Sequence, residues 1–285
     1  MGVVISSAAT ESGGTSSVAQ AAAAAVTALG GDTAHVDAVI NVGVYRDSNL
    51  VEPAISALIQ QAAGIGLEYR PGDTPCLSFD LMNGACGVVN ALGVAVSLLD
   101  ANPGGRVVIV SGDAHPSMRA DSGFAFVPVG GALVLENDPA APGFGAVRVS
   151  AGAGDVAAQG YVRLPEMGSS GRSAVSVEQR VTTAELVTHA ASAARDALDA
   201  AGLSPAEVVL VTGRPTAEFP GDLAAALGIS TVVTDEFDGD THTSALTAAY
   251  TVARDAGLTG RPLLFVAADA GPTAAAVVYR GRGVA

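Results

Sequence analysis

Apolar residues along this chain gather in short continuous runs, each closed by a small residue, and Ala-rich stretches lie between them. VDAVINVG (36–43), VVIVSGD (107–113), VVLVTG (208–213) and PLLFVAAD (262–269) are such runs. Continuous rather than alternating apolar positions predict strands buried on both faces. The Ala-rich stretches that precede them predict helices. Helices alternating with buried strands give an α/β architecture with largely parallel sheets.

The pattern occurs twice, as internal repeats do. VAQAAAAAVTALGGDTAHVDAVINVG (18–43) and LVTHAASAARDALDAAGLSPAEVVLVTG (186–213) each read as helix, turn, acidic residue and apolar strand ending in Gly. Gly105-Arg106 opens the strand that ends at Asp113, and Gly260-Arg261 opens the one that ends at Asp269. Carrying the offset from Asp113 to Asp269 back sets Cys86 opposite His242, within the matching segments DLMNGACGVVNALGVAVSLL (80–99) and DEFDGDTHTSALTAAYTVAR (235–254). VGGALVLE (129–136) and PTAAAVVY (272–279) close the halves, each predicted to add antiparallel after a short connection. A Pro-, Gly- and Ala-rich break near 137–160 divides the chain into halves at 1–140 and 141–285.

Composition narrows the function. Of 285 residues, 28 are acidic and 14 basic, a net charge of −14, and every basic residue is Arg. A nucleic-acid-coating surface is excluded, because phosphate binding needs a basic footprint. Schiff-base and Walker lysines are excluded outright. The apolar stretch Val88 to Leu99 is too short to span a bilayer. Met1-Gly2-Val3-Val4-Ile5 has no basic n-region of a secretory signal. Cys76 and Cys86 form neither a disulfide framework nor a zinc pattern. These features predict a soluble, reduced, cytoplasmic protein without metal, nucleic-acid or membrane partners. GFGAVRVSAGAG (143–154) is Gly-rich but lacks the spacing and following helix of a dinucleotide site.

The candidate chemistry lies in CLSFDLMNGACGVVNALGVAVSLL (76–99). Leu77 to Leu81 predicts a strand, Asn83-Gly84-Ala85 a turn and Gly87 to Leu99 a helix. Cys86 then stands at a helix N-terminus, where the dipole favours thiolate and free N–H groups favour an oxyanion. Cys76 has only apolar neighbours and reads as structural. His35 and His189 read as exposed, and His115 as part of a turn. Glu52, with Pro53, predicts the start of a helix.

FDLMNGACGVVNAL resembles the nucleophile segment of ketoacyl synthase III-type condensing enzymes, in the thiolase superfamily. Agreement extends to 36–60, to GGALVLE, to Gly239-Asp240-Thr241 beside that family's Gly-Asn-Thr, and to Ala268-Asp269-Ala270-Gly271 beside its C-terminal Gly-rich turn. The resemblance implies a five-layered α-β-α-β-α fold of two pseudo-symmetric halves, usually dimeric. It implies acyl transfer from a coenzyme A or phosphopantetheine carrier thioester, as substrate rather than cofactor, onto Cys86. That activity belongs to fatty acid or polyketide biosynthesis. Asn83, Arg214 and Gly271 become candidate substrate contacts.

The departures are as informative. The family's His turn reads Thr212-Gly213-Arg214-Pro215 here, and Asp240 replaces its Asn. The stretch between the family's first strand and helix is nearly absent, so the chain reads as shortened and divergent. A carboxylate at 240 is unfavourable beside an anion unless protonated or paired. His242 is a candidate replacement base, and Arg214 a candidate electrostatic stabiliser, a subunit anchor or the partner of Asp240. Arg46, Arg119, Arg172 and Arg214 are candidates for a local anion patch. Three functions follow: an acyltransferase acylated on Cys86, a degenerate subunit paired with a full-length ketosynthase, and a binding module for acyl chain or carrier protein.

Overall fold

The computed structural model describes residues 2–68, 74–152, 158–162, 164–179, 181–271 and 273–284. In chain order the first half comprises β1 (Gly2–Ser12), α1 (Ser17–Ala28), β2 (Ala38–Asn41), α2 (Ile55–Ala63), β3 (Leu77–Asp80), α3 (Gly87–Ala101), β4 (Arg106–Gly112) and β5 (Val129–Asp138). The rest comprises β6 (Gly143–Phe144), β7 (Arg148–Ala151), β8 (Ala158–Tyr161), β9 (Ser176–Gln179), α4 (Thr183–Ala201), β10 (Val209–Thr212), α5 (Phe219–Leu227), β11 (Val232–Val233), α6 (Ala245–Asp255), β12 (Leu263–Asp269) and β13 (Thr273–Arg280).

One sheet runs β1-β5-β4-β2-β3 and the other β11-β10-β12-β13-β6, with β7 also on β13. The strands predicted to be parallel are so: β2 pairs with β3 and β4, and β10 with β11 and β12. As expected, β5 and β13 add antiparallel to β4 and β12. The connection before β5 is long, however, running from Asp113 to Pro128, whereas the one before β13 is short. β8 and β9 form a separate hairpin.

Strand side chains alternate between two cores. Val107 and Ile109 face a central core with α3, α6, Val209, Val211 and Phe265. Val108 and Val110 face α1 and α2. On the second sheet Leu210, Leu264 and Val266 face α4 and α5. The layers are therefore α1/α2, first sheet, α3/α6, second sheet and α4/α5. Alanine lets the outer helices come close. Gly130 marks the tightest approach, because a Cβ there would overlap the Gln20 carbonyl of α1.

The central position of α3 explains its composition. With sheets on both sides it needs no polar stripe. Gly84–Ala101, with a mean hydropathy of 1.6, is long and apolar enough to cross a bilayer by length and composition. Here its side chains Val88, Val89, Leu92, Ala95 and Leu99 lie in the central core.

Two internal carboxylates occupy helix N-termini. Asp47 accepts from the Ser17 and Val18 N–H groups at the start of α1 (2.9 and 3.3 Å). Asp80 accepts from Ile55 and Ser56 at the start of α2 (2.9 and 2.7 Å) and pairs with Arg46 at 3.2 Å. Glu52 does not start α2; the helix begins at Ile55, and Asp80 of β3 supplies the charge that suits its dipole.

Candidate functional site

The turn of interest is a single 3-10 turn, Gly84–Cys86, leading directly into α3. Its counterpart is His242–Ser244, leading into α6. Gly84 and His242, the first residue of each turn, both have φ of +49°. The mate of Cys86 is therefore Ser244, not His242. Contacts agree: Cys86 Sγ lies 3.7 Å from the Ala267 carbonyl and 3.8 Å from that of Thr273. Ser244 Oγ lies 2.8 Å from Ser111 Oγ and 2.6 Å from the Val129 carbonyl. Each side chain is thus held where one antiparallel strand pair of its opposite sheet begins its turn.

Cys86 is wholly buried, with 0% of its surface exposed. Burial, reinforced by the nearby Asp269 charge, pushes its thiol up to about 12, against weaker opposing hydrogen bonds from Thr273 and Ala275. Desolvation therefore acts against the thiolate that a helix N-terminus would favour. The N–H groups expected to hold an oxyanion are engaged: Ala85 N–H donates to Asp269 Oδ2 (2.7 Å) and Cys86 N–H to the Asn83 carbonyl (3.0 Å). Cys76 is half-buried, and burial likewise raises its thiol, to about 11.

His242 is 7% exposed and lies between two carboxylates. Its Nδ1 is 2.8 Å from Asp113 Oδ2, and its Nε2 is 3.6 Å from Asp269 Oδ2. Phe126 stacks on the ring at 4.1 Å and 17°, a favourable place for a cation. Burial alone would lower the imidazole, but Asp113 and then Asp269 push it up to about 10. The two carboxylates thus favour the imidazolium form of His242, which works against the role of base expected for it. Burial would raise Asp113, yet His242, Thr243 and the Tyr45 N–H hold it below its ordinary value. Asp269 is held low in the same way, by His242 and by the Ala85 and Ala270 N–H groups.

Asp240 has no ion-pair partner among the described residues; its Oδ1 accepts the His242 backbone N–H at 2.8 Å. Burial pushes its carboxyl up to about 6, with His242 opposing. Arg214 pairs with Asp235 at 3.4 Å rather than with Asp240. Asp235 in turn accepts from Thr241 Oγ1 at 3.1 Å.

A cavity of about 10 Å³, space for roughly one water, lies among Ala85, Gly213, Pro215, Asp240, Ala245 and Ala267, with Thr212, Phe219, Leu246 and Ala268 completing its wall. The residue of the 84–86 turn that reaches it is Ala85, not Cys86. Among the predicted site residues, Asp240 and the neighbours of Arg214 meet here. Asn83 does not: it is exposed and donates to Asn90 Oδ1 (2.7 Å). Gly271 does not either; it forms the β12–β13 turn, where its carbonyl accepts from Thr273 Oγ1 (3.2 Å). Arg46 pairs with Asp80 rather than joining Arg214 in an anion patch. His115 serves its own loop, with Nδ1 2.7 Å from Ser117 Oγ and its ring edge-to-face with Phe124. Of the two histidines expected to be exposed, His35 is, whereas His189 is half-buried.

Sequence reasoning did not single out Ala85, Phe126 or the two carboxylates that hold His242. Asp113 and Asp269 had a signal, since each ends the matching strand of its half.

This five-layered arrangement, with two helix-initiating turns meeting between paired sheets, is the thiolase-like fold of 3-oxoacyl-(acyl carrier protein) synthase III-type condensing enzymes. The chain is similar to the 3-oxoacyl-(acyl carrier protein) synthase III FabH of Pseudomonas aeruginosa, with a TM-score of 0.83 at 19% identity, over 98% of either chain. It is similar to the β-ketoacyl-(acyl carrier protein) synthase III of Thermus thermophilus (TM-score 0.76, 24% identity, 94% of this chain and 85% of that one). It is also similar to a point variant of Xanthomonas campestris OleA (TM-score 0.78, 14% identity, 99% and 97%). No family model and no curated protein matches the sequence. The match to the full span of the Pseudomonas enzyme corrects the expectation of a shortened chain. Divergence is what remains.

Proposed function

We propose that this chain is a companion subunit of condensing-enzyme fold that carries no acyl group itself and works beside a catalytic ketosynthase that supplies the nucleophile. One observation carries this reading: the turn sends its thiol into the core and turns Ala85 toward the cavity. The surroundings support it. Thr212, Gly213 and Pro215 of the cavity wall offer no base; Asp240, the titratable residue of that wall, already accepts the His242 N–H, and two carboxylates hold the nearby imidazole toward its cationic form. Acyl-coenzyme A or acyl carrier protein would then be substrate of the assembly, in the cytoplasm, with the chain as one half of a heterodimer.

A second reading, an acyltransferase or condensing enzyme acylated on Cys86, is favoured by the position of that residue at the first turn of the apolar helix α3. Intact-protein mass spectrometry separates the two. After incubation with acetyl-, malonyl- and octanoyl-coenzyme A and the matching carrier-protein thioesters, the isolated chain should keep its mass. A single acyl increment that disappears in Cys86→Ala would establish the second reading instead.

A further inference from the structure

The cluster around His242 is built from both halves of the chain. Asp113 follows β4 of the first sheet, and Asp269 ends β12 of the second. His242 touches both. Asp113 is engaged on both oxygens: Oδ1 accepts the Val44 and Tyr45 N–H groups (2.8 and 2.9 Å), and Oδ2 accepts Thr243 Oγ1 (2.6 Å) besides the imidazole. Asp269 Oδ2 accepts Ala85 N–H, in the middle of the turn that carries Cys86. Gly84 packs so closely on this carboxylate that a Cβ would overlap it, and the same Cβ would lie 3.4 Å from His242 Nε2. The two carbonyls over Cys86 Sγ, from Ala267 and Thr273, flank Asp269 in sequence.

We propose that Asp113, His242 and Asp269 form a latch across the two halves that holds the Gly84–Cys86 turn shut, so that the Cys86 thiol meets solvent only when this latch opens. Asp113, Asp269 and Asp240 face one imidazolium, with Asp235 behind Asp240 and the Tyr45 ring 6.0 Å away. Removing that cation, or either carboxylate that holds it, leaves like charges or an unpaired charge in a buried site. Separation of the turn from Asp269 relieves this. The residue that would be exposed is already at a helix N-terminus, where solvent access alone restores the influence of the dipole. The latch goes beyond the companion-subunit reading and is tested without any acyl group, so the two stand or fall separately.

The test is the rate at which Cys86 is labelled by 5,5′-dithiobis(2-nitrobenzoate) in a Cys76→Ser background, followed across low urea concentrations. The parent should label slowly. Asp269→Asn and Asp113→Asn should label at least tenfold faster while circular dichroism shows them folded. The urea dependence of their rates should be much weaker than that of global unfolding, the mark of a local opening. Folded variants that label at the parental rate would overturn the latch. So would acceleration with the full urea dependence of global unfolding. Should Asp269→Asn not fold, Asp113→Asn carries the test alone.

Discussion

His242→Ala should destabilise the fold by about 3–5 kcal/mol, the usual cost of stripping the partner from a buried ion pair. Asp113, 1% exposed, would keep its charge in the core with only hydrogen bonds to hold it. Urea unfolding followed by circular dichroism reads this, and the thermal midpoint should fall on the order of 10 °C for a chain of this size. The same pair predicts a pH profile. His242 is held at about 10 in the fold against 6.5 when free, so its stabilisation is complete below about pH 6.5 and is lost as pH rises toward 10. Asp240, raised from 3.8 to about 6, adds stability that fades as pH climbs through that interval. Asp113 and Asp269, both lowered, act oppositely and lose their contribution in acid. The parent should therefore be most stable on the mildly acidic side of neutrality and weaken steadily between pH 7 and 10. His242→Ala should abolish most of that alkaline slope.

Gly84→Ala should cost about 2–4 kcal/mol, combining overpacking with a left-handed backbone at a residue that gains a Cβ. The new methyl would overlap Asp269 Oδ2, a group that cannot withdraw without releasing Ala85 N–H and loosening its hold on His242. A calorimetric scan checks this. Gly13→Ala is the natural control, since Gly13 also has positive φ (+82°) but nothing within 4 Å of its Cβ position. It should cost no more than the backbone term, about 1 kcal/mol. Equal losses at both positions would mean that the contact with Asp269 carries no weight.

Much of the fold was legible because buried strands and Ala-rich helices announce themselves locally. VVIVSG and PLLFVAA became β4 and β12, each central in its sheet. The site was less legible, for geometric reasons. In a 3-10 turn successive side chains point about a third of a turn apart, so the step from Ala85 to Cys86 decides which residue meets the cavity. Composition does not record that step. The strand offset that joins Asp113 to Asp269 slips by two residues at the helix starts, which moves the mate of Cys86 from His242 to Ser244. His242 looked like a base because a sequence lists its neighbours along the chain. The carboxylates that charge it come from the ends of two other strands, one in each sheet.

The central claim is that Cys86 is a sealed, undissociated thiol rather than a nucleophile. The most direct test is its alkylation by iodoacetamide as a function of pH, in native Cys76→Ser protein with peptide-level mass readout. The account predicts that, at every pH, modification is far slower than in the urea-unfolded protein, since Cys86 is wholly buried. A rate close to that of the unfolded protein, saturating above a midpoint near pH 7 or 8, would show an accessible, dipole-stabilised thiolate and would contradict it.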